Sequence, residues 1–175
     1  MRPPSLQPQR QAWAHVVRTS VLFVCMGNIC RSPTAEGVFR AMAARAGIIG
    51  RIQVDSAGTH DYYSGGPPDW RAMQAAQRRG YDLTALRARQ VQVADFERFD
   101  RIYAMDWLNL GQLEALRPRD HRGQLSLFLD VMPELGVREV PDPYDGGPDG
   151  FERVLDLIER ASEALVADIR LKLPG

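Results

Sequence analysis

The chain has 175 residues, 45% of them apolar, and its 22 basic and 22 acidic side chains cancel to a formal net charge of zero. That length supports one domain with a real core. The charge balance argues against a nucleic-acid or membrane surface, and no apolar run is long enough to span a bilayer.

In chain order, residues 1–18 come first, with Pro3, Pro4 and Pro8, several Gln and Arg, and little periodicity. They read as an N-terminal extension, partly disordered or the result of a misplaced start codon, ahead of a domain at 19–175. Ala12-Trp13-Ala14 is too short for the apolar centre of a signal peptide. Residues 21–24 are a short apolar run, the mark of a buried parallel strand. Residues 34–46 place Ala35, Val38, Phe39, Met42 and Ala46 at helical spacing, and Gly47 stops the helix. A second strand is expected at 52–56, a Gly/Pro/Ser/Tyr-rich loop at 57–68 and a helix at 69–79 ending at Gly80. Residues 90–99 include a short helical piece with Asp95 as its cap, 101–105 a third strand, and Asp106 caps a helix running to 116. A fourth short strand lies at 125–128, a long Pro/Gly/Asp-rich loop at 130–150, and an amphipathic closing helix at 151–171. Strands alternating with helices predict a three-layer α/β fold, a central four-stranded parallel sheet with helices on both faces. Ligands in such folds sit outside the carboxyl ends of the strands.

The first strand ends at such a place. Cys25-Met26-Gly27-Asn28-Ile29-Cys30-Arg31-Ser32 is a tight loop between strand and helix, with Arg31 six positions after Cys25. Only a thiolate is a good nucleophile, and unpaired N–H groups at a helix N-terminus favour an anion. A loop wrapped around that end makes a nest of donors for a phosphate-like group. Gly27 is expected to take backbone angles closed to other residues, and Asn28 tolerates the left-handed region. Arg31 supplies a planar fork for two phosphate oxygens. Ser32 can donate to the sulfur, and Pro33 suits a first helical turn. Cys25 and Cys30 are the only cysteines, too few for a disulfide framework. With the scattered His15, His60 and His121 they show no metal-ligand spacing, so neither metal nor cofactor is expected. A reducing, cytoplasmic setting is expected because Cys25 must stay reduced. Two thiols in one short loop also make Cys30 a candidate redox partner of Cys25.

Loops as long as 130–150 are uncommon unless functional. Within it, Asp142 stands between Pro141 and Pro143, so its backbone has little freedom. A carboxylic acid on a stiff loop could protonate a departing oxygen and later activate water, worth roughly 10²–10⁴ in rate. Alone, Asp beside Pro is equally an ordinary turn residue.

These segments together resemble the low-molecular-weight protein tyrosine phosphatases, from about residue 19 to the C-terminal helix. The stretch from Cys25 to Glu36 closely matches that family's phosphate loop, and Asp142-Pro143-Tyr144 its general-acid loop. Asp55-Ser56-Ala57-Gly58-Thr59, Ala88-Arg89-Gln90 and Met105-Asp106 are also similar. The resemblance implies Cys25 as nucleophile, Arg31 as phosphate clamp and Asp142 as acid then base. Met26, Gly27, Asn28, Ile29, Cys30 and Ser32 would contact the substrate, Asn28 and Ser56 would brace the loop, and Tyr62 and Tyr144 would wall the substrate ring. It implies tyrosine-phosphorylated proteins as partners, with the chain a monomer or weak dimer. Two departures stand out. Leu86 occupies a place where some members carry a bracing histidine, and Asp145 follows Tyr144 where eukaryotic members often have a second tyrosine.

Three alternatives stay open. An arsenate reductase on the same scaffold would, in its thioredoxin-coupled form, need further cysteines, and none follows Cys30. An arginine-phosphate phosphatase has Thr at the position of Ile29 in the relevant relatives, whereas Ile packs against an aromatic ring. A non-catalytic phosphoprotein-binding module would commonly lack the nucleophile, the Arg or the acid.

Overall fold

The computed structural model describes residues 19–175, so the extension read at 1–18 lies outside the described residues. Four strands form one parallel sheet in the order β2-β1-β3-β4: β1 (Thr19–Cys25), β2 (Ile52–Gly58), β3 (Arg101–Ala104) and β4 (Gln124–Leu127). Among the described residues, five helices connect and flank them: α1 (Arg31–Arg45), α2 (Trp70–Arg78), α3 (Asp95–Arg98), α4 (Trp107–Leu116) and α5 (Pro148–Lys172).

The three-layer expectation holds. β1 is buried on both faces, and its alternation sorts the two cores. Val21 and Phe23 face one core with Phe39, Tyr103, Phe128 and Ile158, formed with α1, α2 and α5. Leu22 and Val24 face the other, with Phe96, Ile102, Ala104 and Leu113, formed with α3 and α4. Phe23 is the hub of the first core, its ring 5.7 Å from Phe39 and 4.9 Å from Phe128 in edge-on contacts.

The strand order sets the site. The chain leaves β1 and returns beside it as β2, then crosses to the opposite side of β1 to form β3. The two crossovers part at the carboxyl end of β1, leaving the crevice where open parallel sheets bind ligands. Cys25 ends β1 at that point.

Some boundaries differ from the sequence reading. α1 begins at Arg31, three residues before the apolar spacing does, because residues at a helix start that line a site need not be periodic. α5 likewise begins early, with Pro148 at its first position. Asp95 is not a cap. Ala94 holds that position, and the Asp95 carboxylate instead accepts the Gln92 N–H at 2.7 Å and the Arg89 guanidinium at 3.0 Å. The long loop is partly ordered by 3-10 turns at Phe128–Val131 and Pro133–Leu135. Asp106 does cap α4, accepting the Asn109 N–H at 2.8 Å. Among the described residues, no helix is long and apolar enough to cross a membrane.

Candidate active site

The loop from Cys25 to Arg31 turns its carbonyls outward. The Cys25, Met26 and Ile29 carbonyls accept the N–H groups of Thr59 (2.9 Å), His60 (3.0 Å) and Asp69 (2.8 Å). Those carbonyls are thus taken up by neighbouring segments and not by the loop's own amides. Among the described residues, no backbone carbonyl takes up the N–H groups of residues 26–30. The result is a concave set of donors at the start of α1, a ready anion site.

One expectation about this loop is corrected. Asn28, not Gly27, carries the left-handed backbone, with φ of 56°. Gly27 has no positive φ; it is small for a steric reason. A Cβ there would lie 2.9 Å from the Tyr63 ring, which packs on the loop.

The Asn28 side chain fixes the loop from inside. Its Nδ2 donates to Ser32 Oγ (2.8 Å) and Ser56 Oγ (3.0 Å), and its Oδ1 accepts the Arg89 N–H (3.0 Å). Ser56 in turn donates to the buried Glu36 carboxylate at 2.8 Å. Burial pushes the Glu36 carboxyl up, and the Ser56 and Arg40 contacts pull the other way. Leu86, at the place of the family's histidine, packs against the first core instead, so the backbone of Arg89 does the bracing on that side.

Cys25 Sγ lies at the floor, 2% exposed and 3.0 Å from Ser32 Oγ. Arg31 is equally buried. Its Nη1 donates to Asp106 Oδ2 (2.6 Å) and the Val140 carbonyl (3.0 Å), and Nη2 lies 3.6 Å from Asp142 Oδ2. Burial alone would lower the Arg31 pKa. The nearby Cys25, Asp106 and Asp142 reverse that and hold it above the ordinary value, so the guanidinium stays charged. Burial also pushes the Cys30 thiol far up, with Asp69 adding to it, so Cys30 is a protonated thiol.

A cavity of about 320 Å³ opens above Cys25, lined by Met26, Gly27, Ile29, Cys30, Arg31, Asp142 and the rings of Tyr62, Tyr63 and Tyr144. That is room for one aromatic ring and its phosphate. Tyr62 stands at the rim, its ring stacked on His60 at 4.8 Å. Asp142 is half exposed on the opposite lip, its Oδ1 accepting the Tyr144 N–H at 3.1 Å. Among the described residues, no cluster of His, Cys, Asp and Glu is arranged to hold a metal.

A sequence profile of the low molecular weight phosphotyrosine protein phosphatases matches residues 20–174. The chain belongs to that family. It is similar to the low molecular weight protein-tyrosine-phosphatase YfkJ of Bacillus subtilis, 41% identical over 86% of this chain and 96% of that protein. It is 38% identical to the human low molecular weight phosphotyrosine protein phosphatase, over 84% of this chain and 93% of that one. The crystal structure of YfkJ superposes with a TM-score of 0.83 at 39% identity, covering 89% of this chain and 97% of that one. A protein tyrosine phosphatase from Entamoeba histolytica, crystallised with Hepes in its active site, superposes at 0.84 and 38% identity, covering 89% of this chain and 99% of that one.

Of the site residues read from the sequence, Cys25, Met26, Gly27, Ile29, Cys30, Arg31, Tyr62, Asp142 and Tyr144 line this one cavity, while Asn28, Ser32 and Ser56 are buried beneath it and bonded to one another. Three further residues belong to the site. Asp106 pairs with Arg31 as well as capping α4. It follows the end of β3, where parallel sheets place ligand-binding residues, and that position was a readable signal. Tyr63 lies beside the predicted Tyr62 and lines the same cavity, placed there by its ring packing on Gly27, a contact that no neighbour in sequence signals. Gly58 abuts the loop backbone, so closely that a Cβ would sit 2.6 Å from the Met26 carbonyl oxygen.

Proposed function

We propose that the protein is a cysteine-dependent protein-tyrosine phosphatase that hydrolyses phosphotyrosine monoesters through a cysteinyl-phosphate intermediate. One juxtaposition supports this most: Cys25 Sγ beneath a nest of free amides, with Arg31 on the same loop and the Asp142 carboxylate 3.6 Å from that guanidinium. The phosphate oxygens take the N–H groups of residues 26–30 and the Arg31 fork. Cys25 Sγ attacks phosphorus as the tyrosyl oxygen leaves on the opposite side, and Asp142 donates the proton that oxygen needs. The Ser32 hydroxyl, 3.0 Å from Sγ, stabilises the sulfur anion before attack and on departure. Asp142, now ionised, takes a proton from the water that attacks the thiophosphate, which returns free Cys25 and inorganic phosphate.

Depth and wall chemistry support an aryl substrate. Only a long flat ring carries its phosphate to Cys25 at the floor, between Tyr62, Tyr144 and Ile29, and Ile29 withholds a hydroxyl from an attacking water. The substrates are tyrosine-phosphorylated proteins in a reducing cytoplasm, acted on by a monomer or weak dimer. Hydrolysis rates on phosphotyrosine, phosphoserine and phosphoarginine peptides, measured side by side, test this. Phosphotyrosine is expected to be fastest by far, and Ile29→Thr to shift the balance toward phosphoarginine. A faster phosphoarginine reaction in the unmutated protein would overturn the phosphotyrosine assignment while leaving the Cys25–Arg31–Asp142 chemistry intact.

A further inference from the structure

The two loops that face each other across the pocket are anchored very differently. The loop carrying Tyr63, between β2 and α2, is pinned along its length. Thr59 and His60 bond the nucleophile loop at one end and Asp69 bonds it at the other. In its middle, Gly65 N–H donates to the Ala88 carbonyl and Ala88 N–H to the Gly66 carbonyl, both at 2.8 Å. The Tyr63 ring itself rests on Gly27. The loop carrying Asp142 has one backbone tie to the sheet, from Val140 N–H to the Met105 carbonyl at 2.8 Å. Beyond Val140 and up to α5, its backbone bonds among the described residues are only local, Gly146 N–H to the Pro143 carbonyl and, at the entry to α5, Gly150 N–H to the Gly147 carbonyl. Side chains must therefore hold it.

Arg31 holds it from the floor, its Nη2 3.6 Å from Asp142 Oδ2, and Tyr144 holds it from the opposite loop. The Tyr63 hydroxyl donates to the Tyr144 hydroxyl at 3.3 Å, and the Arg71 guanidinium lies 5.4 Å from the Tyr144 ring centre. Arg71 is itself fixed by a two-pronged pair with Asp69. The Tyr144 N–H is in turn the donor that orients the Asp142 carboxylate. The bond to Tyr144 also keeps the Tyr63 phenol protonated above its ordinary range.

We propose that Tyr63 is a positioning residue for the general acid: its hydroxyl, bonded to Tyr144, ties the loosely anchored Asp142 loop to the rigid β2–α2 loop and so sets the acid over the leaving oxygen. This rests on the reading of Asp142 as the proton donor. It differs from the role of an aromatic wall, because it depends on one hydroxyl and not on the ring.

Tyr63→Phe keeps the ring on Gly27 and removes only the hydroxyl. The measurement is kcat/KM for a series of aryl phosphates running from phenyl to dinitrophenyl. One neutral hydrogen bond sets the scale, so Tyr63→Phe is expected to lose about two- to tenfold on phenyl phosphate. The loss should shrink toward none on dinitrophenyl phosphate, whose leaving group needs little protonation, with KM nearly unchanged. Tyr144→Phe should show the same slope, and the double variant should be no worse than either single one, because both remove one bond. Asp142→Ala, run beside them, separates the two ideas. A flat loss across the series in Asp142→Ala would remove the acid and the clamp together. A steep loss there with a flat or absent loss in Tyr63→Phe, or additive losses in the double variant, would overturn the clamp alone. A gain in kcat/KM with a lower KM in Tyr63→Phe would make the bond a barrier to substrate entry, and would equally overturn it.

Discussion

Asp106 is the sharpest test of how the site is held together, because its two carboxylate oxygens do separate things. Oδ1 caps α4 through Asn109 N–H at 2.8 Å, and Oδ2 takes Arg31 Nη1 at 2.6 Å. Asp106→Asn keeps a good cap but removes the charge facing Arg31. Stripping one partner from a buried ion pair costs about 3–5 kcal/mol. The lower end applies, since the Asp106 side chain is 20% exposed and the Val140 carbonyl still accepts from the guanidinium. About 3 kcal/mol is therefore expected for Asp106→Asn, and about 4 kcal/mol for Asp106→Ala, which also loses a cap worth about 1 kcal/mol. With a urea slope of about 2 kcal/mol per molar, the unfolding midpoints should fall by about 1.5 M and 2 M respectively. Inorganic phosphate, a new partner for Arg31, should recover more stability in Asp106→Asn than in the unmutated protein. If Asp106→Asn unfolds within about 0.2 M of the unmutated protein while Asp106→Ala loses only the share of a cap, the ion pair contributes nothing and the reasoning fails.

Three more outcomes are expected. Cys25→Ser should abolish turnover of an aryl phosphate yet still bind phosphate by calorimetry, because the amide nest and Arg31 remain; substantial residual turnover would remove Cys25 from the nucleophile role. Gly58→Ala should cut kcat/KM by about tenfold or more, since the added Cβ meets backbone at the Met26 carbonyl and no flexible side chain can give way; a kinetically silent variant would show that the loop shifts freely. Glu36 has a folded pKa raised by burial, so its effect on stability is most favourable below the ordinary carboxylate range and is lost as pH rises through the elevated value. The stability of the unmutated protein relative to Glu36→Gln should accordingly fall as pH rises above the ordinary carboxylate range, measured by urea unfolding at each pH, and a constant difference would count against the burial argument.

Much of this protein was legible along the chain because its signals are local. The apolar run at 21–24, the helical spacing after Pro33 and the thiol and guanidinium between them lie within one short stretch, so strand, loop and helix N-terminus are dictated by neighbours in sequence. The same holds for Asp142, whose flanking prolines restrict it wherever the loop goes, and for Asp106 as a cap, which needs only the helix that follows it.

What tertiary structure alone decided depends on which distant segments meet. The strand order β2-β1-β3-β4 puts the crossover divide at Cys25, and no residue near Cys25 encodes that order. Gly27 looks like a glycine chosen for its backbone, but its smallness answers the Tyr63 ring arriving from another loop. Asp106 is Arg31's partner only because β3 lies beside β1 and ends level with it. Periodicity and turn chemistry act over a few residues, whereas a buried ion pair, a ring packed on a backbone and a bond between two loops are set by register across the sheet, which is fixed only when both faces of β1 are buried.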